Sequence, residues 1–371
     1  MPPVNKSPLL SSVLVTGGCG FLGYALVRQL LADPECGAIH VVDRAIKNNR
    51  HDGRATYVEG SITDRTFMTK LLNDTKPTVI FHLASPNPTH PTGPASDMYD
   101  TNVKGTQFLL EVASLTNTVK AFVFCSSVDV YDPAIPHTRA DESHPLCRPT
   151  FGEPYARTKA MADQLVLAAS SRKPGLRTVS LRLSHMYGDR CRQQMPTLLS
   201  MIDVDGTKWL PQPLIQLGAG KNLCEVVSVD NAAAAHVLAA KALVDPSRAN
   251  GKVDGEAFNV SDGQAVPFWY HVRQFWGAAR GRPVRNEELV VIPEWVTRLV
   301  FGLVAWIYWI FTLGRLEPPL AVSDVSLSYS LEEHTYSIDK LRHRLGFRPV
   351  QDHDEVIRRA VEEELKRRLA V

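Results

Sequence analysis

The stretch "SSVLVTGGCGFLGYALVRQLLADPECGAIHVVDR", residues 11–44, decides the fold. It opens with a short apolar strand, turns on glycines, and continues with Leu22, Leu26 and Leu30 at helical spacing. A second apolar strand, Ile39 to Val42, ends on Asp43. This is a βαβ unit. Gly17 permits the tight turn, Gly20 lets backbone approach a pyrophosphate, and Gly23 lets helix and strand pack closely. The helix then starts at Phe21 and Leu22, and its N-terminal N–H groups face the phosphates. Glycines alone are weak evidence, but here strand, turn, helix, strand and acidic residue arrive in order. The segment predicts a dinucleotide site. Asp43 suits a ribose 2′-hydroxyl and repels a 2′-phosphate, which favours NAD; Arg44 beside it keeps NADP open. Asp64, closing "VEGSITD", either meets the adenine amino group or caps the next helix.

The rest of the chain sets the class. Its 371 residues are 44% hydrophobic and 22% charged, which argues against disorder. Forty-one basic against 39 acidic residues leave a formal charge of +2, too balanced for a nucleic-acid surface, so the expected partner is a small molecule. Cys19, Cys36, Cys125, Cys147, Cys191 and Cys224 lie far apart without a CxxC pair, indicating neither a metal site nor a disulfide framework. The N-terminal "MPPVNKSPLLSSVLVTGG" lacks a signal peptide's plan, because its short apolar run leads directly into the first strand.

Two more apolar runs, "KPTVIFHLASP" and "VKAFVFCSSVDVY", read as buried strands, the second ending in Ser126 and Ser127 where strand C-termini meet ligand. In "PYARTKAMADQLVLAAS", Tyr155 and Lys159 are four apart, hence on one helix face. An ammonium beside a phenol lowers a pKa that is ordinarily about 10, so Tyr155 becomes a candidate general base. A serine hydroxyl aimed at the same spot holds a substrate oxygen. The spacing alone also suits any amphipathic helix; the nucleotide fingerprint and the serine pair favour chemistry.

With these motifs together, the chain resembles the extended short-chain dehydrogenases/reductases. The resemblance rests on TGGCGFLG at 16–23, HLAS at 82–85, TNVKGT at 101–106, CSSVDVY at 125–131, YARTK at 155–159 and LRLSHMYG at 181–188. Within that superfamily, VVSVDNAAAAH at 226–236 and GEAFNVSDGQAVPFWYHVRQFW at 255–276 are similar to the 3β-hydroxysteroid dehydrogenase family, especially its sterol-4α-carboxylate 3-dehydrogenase branch. The resemblance implies NAD-dependent oxidation of a 3β-hydroxyl on a sterol or related polycyclic terpenoid, with Tyr155 as base, Lys159 on the nicotinamide ribose and a serine orienting the substrate. Registering on Val130 and Tyr131 makes Ser127 the catalytic serine and leaves Ser126 to the cofactor side. Asn102 matches the family asparagine of a proton path, or else caps the helix that follows. The family's LRP reads LRL here, with Leu183, which puts the neighbouring backbone contacts in doubt. His82 and His236 read as structural. If the substrate carries a 4α-carboxylate, the oxidised β-keto acid can lose CO2, because the ketone accepts the electrons.

The expected architecture is α/β: a Rossmann-type doubly wound parallel sheet over 1–183, with 224–251 returning to it. A smaller substrate-binding part is expected over 184–223 and 252–371. Near the end, "YSIDKLRHRLGFRPV" and "DEVIRRAVEEELKRR" predict a helix, a turn and a closing helix with a solvated charged face. The residue run "LVFGLVAWIYWIFTL", 299–313, has no charge. It is short against the about 20 residues a membrane span needs, and Trp306, Tyr308 and Trp309 suit an interface. The segment 295–314 therefore predicts a membrane-associating helix dipping into one leaflet, with a true span, a core helix or a homodimer contact as alternatives. The resemblance places such an enzyme on the cytosolic face of the endoplasmic reticulum membrane. Two rival functions stand beside the oxidoreductase: a nucleotide-sugar epimerase or dehydratase, which shares the N-terminal constellation, and a non-catalytic NAD(H)-binding membrane adaptor.

Overall fold

The strand Leu10–Thr16 is wholly buried at Val13, Leu14 and Val15, and side chains alternate across a strand, so both faces of its sheet must be covered. They are. In a computed structural model describing residues 7–47, 49–87, 95–149, 153–172, 175–191, 194–202, 213–313, 323–350 and 352–369, seven parallel strands form one sheet. Their order is Glu256–Val260, Arg177–Leu183, Ala121–Ser127, Val79–His82, Leu10–Thr16, Cys36–Asp43 and Ala55–Glu59. Val13 and Val15 point to the face covered by the helices Phe21–Ala32 and Val229–Val244, while Leu14 points to the face packed by Phe108, Leu109, Ala162 and Val166. The Rossmann-type doubly wound sheet is thus as expected.

The order reverses at Leu10–Thr16, whose neighbours are Cys36–Asp43 on one side and Val79–His82 on the other. Ligands of such sheets bind beyond the strand C-termini at this switch point. Gly17, Asp43, Leu83 and Ser127 all follow or end strands at that edge.

One boundary needs correction. The return to the sheet does not stop at residue 251, because Glu256–Val260 pairs in parallel with Val179–Leu183 as the sheet's edge strand. Ala257, Phe258 and Val260 fill the edge position, and Asn259 between them is satisfied by Tyr131, Ala140 and Ser337. A separate core of Tyr187, Met195, Leu198, Trp269, Phe275, Trp276, Ile357 and Val361 builds the smaller C-terminal part. The helix Asp339–Leu345 ends on Gly346 at φ +63°, and the closing helix His353–Leu369 exposes ion pairs such as Arg358 with Glu355 and Glu362.

The apolar run lies on the helix Glu294–Thr312, 19 residues long. Thr297 is its one buried residue, and Phe301, Val304, Ala305, Tyr308 and Thr312 continue a half-buried stripe at helical spacing toward the body. The opposite face is open: Trp306 is 61%, Trp309 63% and Phe311 84% exposed. This exposure overturns the core-helix alternative. Residue 314 of the expected segment lies outside the described residues.

Candidate active site

The glycine turn is built as its sequence demands. Gly17 sits at φ +72°, and a Cβ there would stand 2.8 Å from the backbone of Ala84 on the neighbouring strand's exit. A Cβ on Gly23 would lie 2.3 Å from the Gly17 carbonyl oxygen and 2.5 Å from Gly18 Cα, so the helix can approach the loop only without a side chain. Gly18, which the reading of the sequence passed over, is also crowded, since its Cβ would meet the Val41 side chain at 2.4 Å. The doubled glycine in TGGCG was the available signal. Gly20 is the N-cap of Phe21–Ala32 and brings no side chain, so the first N–H groups of the helix, Phe21 and Leu22 among them, are left for an anion.

Asp43 ends its strand beside this loop. Its Oδ2 accepts from Cys19 N at 3.0 Å and its Oδ1 from Ala45 N at 3.2 Å, which holds the carboxylate at the mouth of the glycine turn; Arg44 is exposed. Asp64 caps the helix Arg65–Thr75, accepting from Phe67 N at 3.0 Å. Of its two readings, that is the contact made here. Asn102 does not cap a helix. It lies inside a π-turn, Asp100–Gly105, in a helical stretch running from Ala95 to Leu115, where its Nδ2 donates to Thr158 Oγ1 at 3.0 Å. Such π-bulges concentrate at functional sites. Its Oδ1 and the Ser126 hydroxyl are buried and find no partner among the described residues, an arrangement that fits a polar guest at this edge. Glycine cradle, bare helix N-terminus, strand-end carboxylate and two orphaned polar atoms together fit a dinucleotide.

The strand Ala121–Ser127 and the helix Pro154–Arg172 bring Ser127, Tyr155 and Lys159 together. Ser127 stands beside Tyr155, its hydroxyl favouring the ionised phenol. Burial, then the charge of Asp129 and then Cys125, push the Tyr155 phenol well above its ordinary pKa, and the Ser127 hydroxyl offsets only part of this. Lys159 is buried; its Nζ donates to the Cys125 carbonyl at 2.6 Å and stands 4.8 Å from the Phe124 ring. Desolvation lowers its pKa. The ammonium is thus held by a backbone carbonyl, and no hydrogen bond between it and Tyr155 is found among the described residues.

The reading of the sequence also missed Asp129. Its Oδ2 accepts from Ser127 Oγ at 2.8 Å, and its Oδ1 accepts from the hydroxyl of Tyr329 at 2.8 Å. Tyr329 comes from the helix Asp324–Leu331, 200 residues away, so no local pattern could have paired them. His82 and His236 are structural, as expected. His82 bridges Thr16 and Thr106, both at 2.8 Å, and burial holds its pKa down to about 3; His236 meets the Ala232 carbonyl, its pKa lowered to about 4 by burial. Leu183, where a proline was expected, keeps the strand Arg177–Leu183 paired with Ser127 and Val260 on its two sides.

The helix Pro154–Arg172 is locked to the sheet by charge. Arg182 donates to both carboxylate oxygens of Asp163, at 3.3 and 2.8 Å, to the Tyr131 hydroxyl at 3.2 Å and to the Glu142 carbonyl at 3.1 Å, while Ser180 also donates to Asp163.

Comparison with known proteins agrees with this geometry. The sterol-4-alpha-carboxylate 3-dehydrogenase, decarboxylating, of Gibberella zeae is 35% identical over 294 residues, 78% of this chain and 92% of that protein. The enzyme of the same name from Schizosaccharomyces pombe is 29% identical over 355 residues, 95% and 97% of the two chains. Among solved structures, a UDP-glucose 4-epimerase from Thermotoga maritima with UDP-glucose superimposes at a TM-score of 0.69 with 21% identity, covering 96% of this chain and 99% of that one. A dTDP-glucose 4,6-dehydratase from Bacillus anthracis in complex with NAD gives 0.68 at 19% identity, covering 95% and 96%. These two establish the shared fold. The model of the 3-beta hydroxysteroid dehydrogenase/isomerase family matches residues 14–286, and the chain belongs to that family.

Proposed function

We propose that this protein is an oxidoreductase that uses NAD to oxidise the 3β-hydroxyl of a sterol or related polycyclic terpenoid, with loss of a 4α-carboxylate as CO2 where the substrate carries one. The observation that carries this reading is the Tyr155–Ser127 hydroxyl pair at the same sheet edge as the glycine cradle. Its support in substrate class is the 35% identity to a decarboxylating sterol dehydrogenase across 92% of that enzyme. The cradle of Gly17, Gly18, Gly20 and Gly23, the N–H groups of Phe21 and Leu22, and Asp43 would hold the cofactor, with Ser126, Asn102 and Lys159 toward its nicotinamide end and Asp64 toward its adenine. When bound, NAD supplies a hydride acceptor. Tyr155 exchanges the proton of the substrate hydroxyl, and Ser127 orients that hydroxyl. A β-keto acid formed this way needs no further group to lose CO2.

The rival epimerase or dehydratase reading draws on solved structures under 25% identical, which carry the fold alone, and an exposed apolar helix has no use for a water-soluble nucleotide sugar. That helix supports docking on the endoplasmic reticulum membrane, where a sterol is dissolved. Val290 and Val291, half exposed just before the helix, extend its apolar character. Detergent-solubilised protein given NAD⁺ and a 4α-carboxy-3β-hydroxysterol should form NADH and a ketone lighter by CO2, and Tyr155→Phe should abolish both. NADH-free incubation with protein that binds NAD⁺ would refute the sterol assignment. Full cellular function of Tyr155→Phe would favour the adaptor reading.

A further inference from the structure

Ser127 has to present its hydroxyl to a substrate oxygen at one place, yet a serine side chain has three staggered rotamers to choose from. Here two contacts from a single residue hold it. The Ser127 Oγ donates to Asp129 Oδ2 at 2.8 Å and accepts from the Asp129 backbone N–H at 3.2 Å. A hydroxyl oxygen has one donor and two acceptor directions, so one direction stays open for the substrate. The backbone half of this grip comes from the short helical turn Val128–Val130, which Ser127 caps. The other half depends on where the Asp129 carboxylate points.

That direction is set from far along the chain. Tyr329, on the helix Asp324–Leu331, donates to Asp129 Oδ1 at 2.8 Å. Burial, and after it the charge of Asp129, raise the Tyr329 phenol well above its ordinary pKa, so it keeps the proton it donates. Its ring lies on His334, with centroids 4.2 Å apart and planes at 17°, and its carbonyl accepts from Asn222 Nδ2 at 3.0 Å. The carbonyl of the next residue, Ser330, accepts from Trp269 Nε1 at 3.0 Å. The phenol is therefore held in place by the C-terminal part. Among the described residues no ion pair reaches Asp129, so the two hydroxyls aim its carboxylate.

We propose that Asp129 and Tyr329 are positioning residues for Ser127: the phenol from the C-terminal part fixes the Asp129 carboxylate, and the carboxylate fixes the serine rotamer that meets the substrate oxygen. This rests on the function proposed above. Neither residue exchanges a proton with the substrate; both act through Ser127. The reacting edge of the sheet is then complete only when the helix Asp324–Leu331 is packed against it, which makes the C-terminal part a component of the hydroxyl-orienting machinery as well as a wall of the substrate site.

The test is steady-state NADH formation by the full chain in detergent, given NAD⁺ and a 4α-carboxy-3β-hydroxysterol. Asp129→Ala frees the serine rotamer, and kcat should fall by about ten- to a hundredfold, the scale of a group displaced by about 1 Å. The NAD⁺ dissociation constant and the melting temperature should stay near the parent's. Asp129→Asn should recover most of that loss, because its amide oxygen still accepts from Ser127 and its NH2 can donate to the Tyr329 oxygen. Tyr329→Phe should lower kcat by about three- to tenfold, the worth of one hydrogen bond. Added to Asp129→Ala it should cost nothing further, since both act through one serine. Asp129→Asn as slow as Asp129→Ala would overturn positioning in favour of a role for the charge itself. Parental kcat in Asp129→Ala, or additive losses in the double variant, would overturn it as well. If Asp129→Ala fails to fold, parental kcat in Tyr329→Phe overturns the proposal. Full turnover by Tyr155→Phe would overturn the function itself, whereas an inactive Tyr155→Phe beside a fully active Asp129→Ala would overturn the positioning alone.

Discussion

Removing one partner of the Asp163–Arg182 pair should be among the most damaging single changes outside the reacting groups. Their side chains are 0% and 4% exposed. Asp163 sits four residues past Lys159 on the same helix, and Arg182 lies in the strand paired with Ala121–Ser127. Asp163→Leu leaves a guanidinium buried with only Tyr131 and a carbonyl as partners. Breaking a buried pair from one side costs about 3–5 kcal/mol, whereas replacing both members with apolar residues can be nearly neutral. With a urea slope of about 3 kcal/mol/M, the upper end of the range for small proteins, the midpoint should fall by about 1–1.7 M. The double variant Asp163→Leu/Arg182→Met should recover most of that loss. Urea unfolding followed by tryptophan fluorescence and by circular dichroism measures both. A single-variant shift under about 0.3 M, or a double variant less stable than either single, would refute the reasoning that charge without a partner, and not lost packing, dominates at this position.

Gly23→Ala should weaken NAD⁺ binding by at least about tenfold with a smaller effect on folding, since its Cβ would press on the Gly17 carbonyl that shapes the cradle; isothermal titration decides it. Burial raises the Glu225 carboxyl to about 7 from its ordinary 4.5. The folded state therefore holds this proton more tightly than the unfolded chain, and stability should be lost as pH rises from about 4.5 to 7. At pH 8, Glu225→Gln should be more stable than the parent by up to about 3 kcal/mol, and an unchanged melting temperature there would contradict this. For His82 the sign is opposite. Its folded pKa of about 3 lies below the ordinary 6.5, so the stability tied to its neutral form is present above pH 6.5 and should fall away as pH drops toward 3, which melting curves across that interval can follow. On the exposed helix, Leu303→Asp with Trp306→Asp should shift the protein from floating vesicles to the soluble fraction without changing turnover of detergent-dissolved substrate; continued flotation would show that the helix is not the anchor.

The βαβ unit, the glycine turn, the serine pair and the Tyr155/Lys159 spacing were legible because each is a local pattern: strand periodicity of two, helix periodicity near 3.6, and glycine where the backbone leaves no space. Gly17 and Gly23 do what their positions demanded, and the apolar run lies on one helix as far as Thr312, with Leu313 as its C-cap. The edge strand Glu256–Val260 was placed in the wrong part because a buried parallel strand at a sheet edge has no periodicity that names its partner. The same limit hid the direction of Lys159 and the role of Asn102, whose side chain turned to Thr158 across two helices.

The sequence by itself determined the parallel sheet, the dinucleotide cradle and the identity of the hydroxyl pair, since backbone sterics and hydrophobic alternation act over a few residues. Only the tertiary structure decided which charges meet. Asp129 is two residues from Ser127, yet its second partner, Tyr329, is 200 residues away, and Arg182 finds Asp163 across a strand and a helix. Electrostatics and hydrogen bonding depend on distance in space and on burial, and both come into being only when the chain has closed around its sheet.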